Sequence, residues 1–277
     1  MNRAEALERV RPWWTKCKPT VRYLIETEAH VYALAISASV LLAFYPFVIV
    51  MTALCRDTLH WPAAASAIPL ALTDFFGKGQ GDFISRNIQS WAVPKLRLTS
   101  MFLLLFTANG VFEPMEVALN RAWGVTKNRT YLKNQIISLG LIFACGGLAL
   151  LSLMLTAAPL QFIGSGGWFR EFLARLFFKL AAVPISILAL FLVYWLLPNR
   201  KVDPRRVVRV AIAVGLILEG CKYVNMIAAG WLEEKFRADY GVFEHSVTIL
   251  VLSALASLIV LAGAHWTASH EQRDPLA

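Results

Sequence analysis

Residues 29–55, 134–169, 180–199 and 246–270 contain no Asp, Glu, Lys or Arg. A helix crossing the hydrocarbon layer of a bilayer needs about 20 predominantly apolar residues, and each of these runs meets that length. Two more apolar stretches are interrupted by charge: residues 98–118, with Glu113 and Glu116, and residues 207–229, with Arg209 at the edge and then Glu219 and Lys222. The runs are continuous rather than alternating, which excludes a transmembrane barrel. Helices are then the way to satisfy the backbone in lipid. The whole chain agrees, with 57% apolar and 16% charged residues in 277, against roughly 45–50% and 25% in soluble domains. The expected fold class is all-α: a polytopic membrane helix bundle of about six transmembrane helices. The expected spans are 30–54, 98–118, 135–158, 180–199, 207–229 and 246–267, in one domain over 29–270. A segment 1–28 precedes it and a tail 271–277 follows.

Positive residues are retained on the cytoplasmic side of a membrane protein. With six spans, the N-terminal segment, the second and fourth connections and the C-terminus share one side and hold 16 of the 27 Lys and Arg. The other side holds ten, and Lys222 lies in a span. Both termini are therefore expected in the cytoplasm. The first 28 residues are polar and basic without an apolar h-region, so the first span reads as a retained anchor. Trp13 and Trp14 beside Arg11 and Lys16 suggest an interfacial helix ahead of it, with a short solvated helix as the alternative. The basic cluster Arg200, Lys201, Arg205, Arg206 and Arg209 reads as a contact for anionic lipid headgroups, and the net charge of +9 has the same origin rather than a nucleic-acid-binding face.

Residues 63–76 form an apolar stretch of about 14 residues, which suits a re-entrant or surface-lying helix better than a crossing. Small residues at Ala35, Ser39 and Ala43, and at Ser253 and Ser257, mark expected helix contacts. Pro46, Pro114 and Pro184 lie within spans, where each removes a backbone hydrogen bond. The four cysteines, Cys17, Cys55, Cys145 and Cys221, have neither a disulfide framework nor a zinc spacing. The histidines (His30, His60, His245, His265, His270) show no metal-binding spacing, and no phosphate-binding glycine loop is present. Gly164-Ser165-Gly166-Gly167 lacks a following Lys and reads as a turn. No catalytic residue, metal or cofactor is expected.

The polar content of two spans remains. Asn109, Glu113, Glu116 and Asn120 follow one another at intervals of four, three and four residues, along one helical face. Glu219, Lys222 and Asn225 do the same in the fifth span, with Glu219 near the midplane. Ionisable groups at that depth face a partner or a water-filled cavity. These seven residues are the candidate lining of a polar cavity. The alternative is that Glu219 and Lys222 form an ion pair that neutralises both, while Glu113 and Glu116 sit near the headgroups.

Several segments carry a family resemblance: ASVLLAFYPF around Pro46, Asn120-Arg121-Ala122-Trp123-Gly124, Leu197-Pro198-Asn199-Arg200-Lys201, Tyr240-Gly241 and Gly263-Ala264. In this order and spacing they resemble the YihY/BrkB family of bacterial inner-membrane proteins, once labelled ribonuclease BN-like. The resemblance implies a six-helix bundle with cytoplasmic termini in the inner membrane. The chain departs from the family pattern at Ala43, where serine is common, and at His265, where glutamate is frequent. The ribonuclease label finds no support in the residues. The leading expectation is transport or lipid handling in the cell envelope through a polar intramembrane cavity. The alternative is a non-transporting envelope scaffold whose polar residues serve helix packing, and a membrane-embedded enzyme ranks last.

Overall fold

The computed structural model describes residues 18–273 except 77, 92–93, 126–128 and 158–167. Side chains are undescribed at some helical positions, among them Asn109, 153–157 and 168–180. Trp13, Trp14 and the Gly164 to Gly167 turn lie outside the described residues. The described residues contain helices and no strand. A short helix α1 (18–26) is followed by α2 (Ala29–Ala53), α3 (Pro62–Phe76), α4 (Lys78–Trp91), α5 (Pro94–Ala122), α6 (Tyr131–Ala157), α7 (Trp168–Leu196), α8 (Pro204–Tyr240) and α9 (Glu244–Arg273).

Six of these helices are 25 to 37 residues long: α2 and α5 to α9. At 1.5 Å per residue they extend about 38–55 Å, enough for the roughly 30 Å hydrocarbon core and part of the headgroup layers. Residues 29–58, 132–152 and 204–266 are long and apolar enough to cross a membrane, and Ala181–Leu196 is a shorter apolar helix. Large apolar side chains point outward: Leu42, Phe102, Phe106, Ile136, Phe143 and Ile227 are all more than 60% exposed. Water would penalise such a surface, whereas lipid tails match it. The molecule is an all-α membrane helix bundle.

Local sequence accounts for where the helices stop. At the end of α5, Gly124 has φ +66°, a conformation glycine adopts without a Cβ penalty. Val125 N–H donates to the Asn120 carbonyl at 2.8 Å and Gly124 N–H to that of Arg121 at 3.2 Å, which is the Schellman arrangement. Helix α8 starts on Asp203, whose carboxylate accepts from Arg205 N–H at 3.0 Å, with Pro204 in the first turn. Glu28, with φ +53°, makes the corner between α1 and α2.

The six long helices form a ring in which α5, α6, α7, α8, α9 and α2 each pack on the next and α2 closes back onto α5. Two larger apolar cores stabilise it. One, near the end of the bundle that carries α1, joins Leu119 of α5 and Trp123 just after it, Leu141 of α6, Tyr194 of α7 and Leu197 just after it, Val207 to Val214 of α8 and Ala264 of α9. We term this the basic end. The other core, toward the opposite or hairpin end, joins Val48, Met51 and Cys55 to Ala64, Ile68 and Phe76 of α3, Ile84 of α4, Leu150 and Ile249. Helix α3, at 15 residues, is about 22 Å long and therefore too short to cross. It packs on α4, α6 and α8 and covers the hairpin end of the ring.

Glycines set two of the closest approaches. A Cβ at Gly110 would lie 2.8 Å from Ser39 Oγ, so α2 and α5 meet at the small-residue stripe expected from sequence. A Cβ at Gly263 would collide with Val214 and lie 2.6 Å from the Tyr194 hydroxyl. That hydroxyl donates to the Val260 carbonyl at 2.7 Å and ties α7 to α9.

Candidate functional site

Among the long helices lies a half-open cavity of about 740 Å³, inside the usual range for small-molecule sites. Its wall is drawn from α2, α3, α5, α6, α7 and α9, and is almost wholly apolar, from Ile36, Phe44, Phe47, Leu72, Leu148 and Leu252 among others. Four serines are present, Ser152, Ser186, Ser253 and Ser257. Ser253 Oγ donates to the Ile249 carbonyl at 2.6 Å and Ser257 Oγ to that of Ser253 at 2.7 Å. Their protons are thereby turned into the helix itself, and the cavity wall keeps its apolar character. A second pocket of about 240 Å³ lies between α2, α5 and α6 and shares Val40, Phe44, Phe47, Val111 and Cys145 with the first. The ASVLLAFYPF segment supplies this shared wall: Val40, Phe44 and Phe47 recur at helical spacing, so one face of α2 presents all three.

At the basic end two sequence motifs meet. Asn120 is 2% exposed, and its Oδ1 accepts from the backbone N–H of Asn199 at 2.7 Å. Its amide donates to Glu116 Oε1 at a long 3.5 Å. Arg129 donates to the carbonyls of Leu196 (3.1 Å), Leu197 (3.1 Å) and Pro198 (2.8 Å), and to Asn199 Oδ1 (3.2 Å). The guanidinium thus caps the C-terminus of α7, whose last carbonyls have no helical partner, and its charge suits the negative end of the helix dipole. Arg200 lies over the Trp123 ring at 6.0 Å. The segments 120–124 and 197–201 therefore form one clamp holding α5 to the end of α7. Glu116, 4% exposed, has one buried oxygen with no hydrogen-bond partner. A buried polar group of this kind is costly.

The expected polar stripes fall elsewhere than the cavity. Among the described residues, its lining includes none of Glu113, Glu116, Asn120, Glu219, Lys222 and Asn225, and the side chain of Asn109 is outside the description. Glu113 is exposed, whereas Glu116 and Asn120 are buried in the clamp. Glu219 and Lys222 form an ion pair at 3.6 Å with side chains 25% and 32% exposed, and Asn225 is buried on the same helix. Helices α5 and α8 stand on opposite sides of the ring, so the two stripes are separate features. Of the basic cluster, Arg200, Lys201, Arg205 and Arg209 are exposed. Arg206 has a side chain only 14% exposed, 3.8 Å from Asp203. His265 stacks on Tyr23 at 4.2 Å and approaches Thr20 Oγ1 at 3.3 Å, joining α9 to α1.

In the sequence Arg129 is one of the 16 basic residues on the expected cytoplasmic side. A helix ending at Leu197-Pro198 with no glycine cap needs an outside donor, and that was the available signal. For Phe44 and Phe47, the helical spacing with Val40 marks a buried face but not a void behind it. Among the described residues no three His, Cys, Asp or Glu side chains are placed to hold a metal.

A family model described as virulence factor BrkB matches residues 20–276. A UPF0761 membrane protein of Pseudoalteromonas translucida (strain TAC 125) is 23% identical over 268 residues, covering 92% of this chain and 85% of that protein. A UPF0761 membrane protein of Chromohalobacter salexigens is 25% identical over 289 residues, covering 97% of this chain and 66% of the relative. No solved structure matches.

Proposed function

The chain belongs to the BrkB virulence factor family, and we propose that it handles membrane lipid, taking an acyl chain into the central cavity. The apolar wall of that 740 Å³ cavity carries the reading. A polar or ionic solute would lose its hydration there without gaining hydrogen bonds. Each methylene moved from water into such a site gains about 0.8 kcal/mol, but a chain already in the bilayer gains nothing from apolarity alone. Exchange between cavity and bilayer then costs little in either direction, as lipid handling requires. The setting is a bacterial inner membrane with both termini in the cytoplasm, in keeping with the bias of Lys and Arg toward the basic end. There the exposed Arg200, Lys201, Arg205 and Arg209 attract anionic headgroups, each with about 1 kcal/mol.

The test is photolabelling in phosphatidylethanolamine–phosphatidylglycerol vesicles that contain a phosphatidylglycerol with a diazirine in its acyl chain. Labelled peptides should include wall residues such as Leu72, Leu148 and Leu252, and not only outward residues such as Phe102 and Ile136. Replacing Ser253 and Ala256 with Trp should remove the wall labelling and leave the outward labelling. Labelling confined to outward residues in the unaltered protein would refute lipid entry.

A further inference from the structure

We propose that the seam between α5 and α6 is a lateral gate through which an acyl chain passes between the bilayer and the central cavity. The inference rests on the lipid-handling reading above and adds the route. Four observations support it.

The ends of the cavity are covered. Ile68, Leu72 and Phe76 of α3 form wall at the hairpin end. At the basic end, Ala118 of α5 and Leu261 of α9 close with Ala29 into a small core. The sides of the half-open cavity are then the ways in from the bilayer, and among the described residues α5 and α6 pack on each other less extensively than the other neighbouring long helices of the ring.

That seam holds the second pocket, lined on α5 by Leu104, Val111 and Phe112 and on α6 by Ile142, Cys145 and Gly146. Five residues line both this pocket and the cavity, so a single layer of side chains separates the two spaces. Rotation of Phe44, Phe47 or Val111 would join them. Side-chain rotation of this kind needs no change of fold.

Both helices of the seam are weakened beside the pocket. In α5, Pro114 follows Gly110 by four residues, which deletes the backbone hydrogen bond the Gly110 carbonyl would receive; Val111 and Phe112 lie between them. In α6, Gly146-Gly147 follows Cys145 directly, and paired small residues of this kind are where helices bend. A Cβ at Gly147 would meet nothing within 4 Å. Packing therefore does not require glycine there, although glycine is a poorer helix former than alanine. Finally, Phe102, Phe106 and Phe143 on the same two helices are exposed by 64% or more, so both helices present apolar outer faces beside the seam.

The experiment uses the full chain with Cys17, Cys55 and Cys221 replaced by Ala, Cys145 retained and Val111→Cys added. A short bis-methanethiosulfonate bridges the two thiols across the seam before the protein enters vesicles with the diazirine-labelled phosphatidylglycerol. Bridging should reduce labelling of Leu72 and Leu252 at least fivefold while labelling of Phe102 and Phe143 stays within twofold, and reductant should restore it. Gly147→Ala, which fills open space and stiffens α6, should independently slow wall labelling severalfold in the unbridged chain. Undiminished wall labelling after bridging, with Gly147→Ala at the unaltered rate, would overturn the gate and leave the cavity reading standing. If the wall is unlabelled even without bridging, the lipid-handling reading falls and the gate falls with it.

Discussion

Replacing Asn120 by Ala tests the clamp at the basic end. The side chain is 2% exposed and serves two partners, the Asn199 backbone N–H at 2.7 Å and Glu116 at 3.5 Å. A buried polar group left unpaired costs about 1–3 kcal/mol. The Glu116 contact is long, so its loss weighs less than the loss at Asn199, and the combined cost is about 2–4 kcal/mol. At about 2–4 °C per kcal/mol for chains of 150–250 residues, the melting temperature should fall by on the order of 10 °C. Asn120→Asp should do at least as much damage: it keeps an acceptor for Asn199 but sets a second carboxylate one turn from Glu116. Arg121→Ala removes an exposed neighbour whose side chain donates to the Tyr32 hydroxyl at 3.3 Å, and should change stability by less than about 0.5 kcal/mol. The assay is thermal unfolding in a mild detergent, followed by the size-exclusion peak of the remaining monodisperse protein. An Asn120→Ala protein that melts within about 1 °C of the unaltered chain would show that the junction of the two motifs does not hold the bundle together, and the energetic argument for the clamp would fail.

Three further outcomes follow from local geometry. Gly263→Ala should destabilise the bundle by about 1–3 kcal/mol, because the added methyl meets Val214 and the Tyr194 hydroxyl. Gly220→Ala, in open space on α8, should instead stabilise by up to about 1 kcal/mol, and the two melting curves should move in opposite directions. Lys222→Met leaves Glu219 without its 3.6 Å partner and should lower stability; adding Glu219→Leu should restore most of the loss, measured as a double-mutant cycle. Reporter fusions after Lys201 and at the C-terminus should read cytoplasmic, and those at Gln80 and Gly166 external, by paired alkaline phosphatase and fluorescent-protein signals; a cytoplasmic reading at Gln80 would overturn the orientation.

Sequence alone determined the fold class, because the cost of unsatisfied backbone in lipid leaves a chain with charge-free runs such as 29–55 and 246–270 little choice but helix. It also marked 63–76 as a short apolar stretch, and α3 is a helix of 15 residues there. The motifs 120–124 and 197–201 could be seen separately, yet their meeting through Asn120, Asn199 and Arg129 spans some 70 to 80 residues of chain, and no local periodicity encodes such a distance. The interior was less legible still. Polar residues in apolar helices draw attention in a sequence because their burial is expensive, but expense does not say where the empty space is. The cavity is a property of how the packed helices fail to fill their centre, and Val40, Phe44, Phe47, Val111 and Cys145 line both it and the smaller pocket beside it. These apolar residues have the same composition as any packed core. Only their positions in three dimensions separate a void from a core, because transfer energy reports what a side chain prefers while packing geometry decides whether another atom is there to meet it.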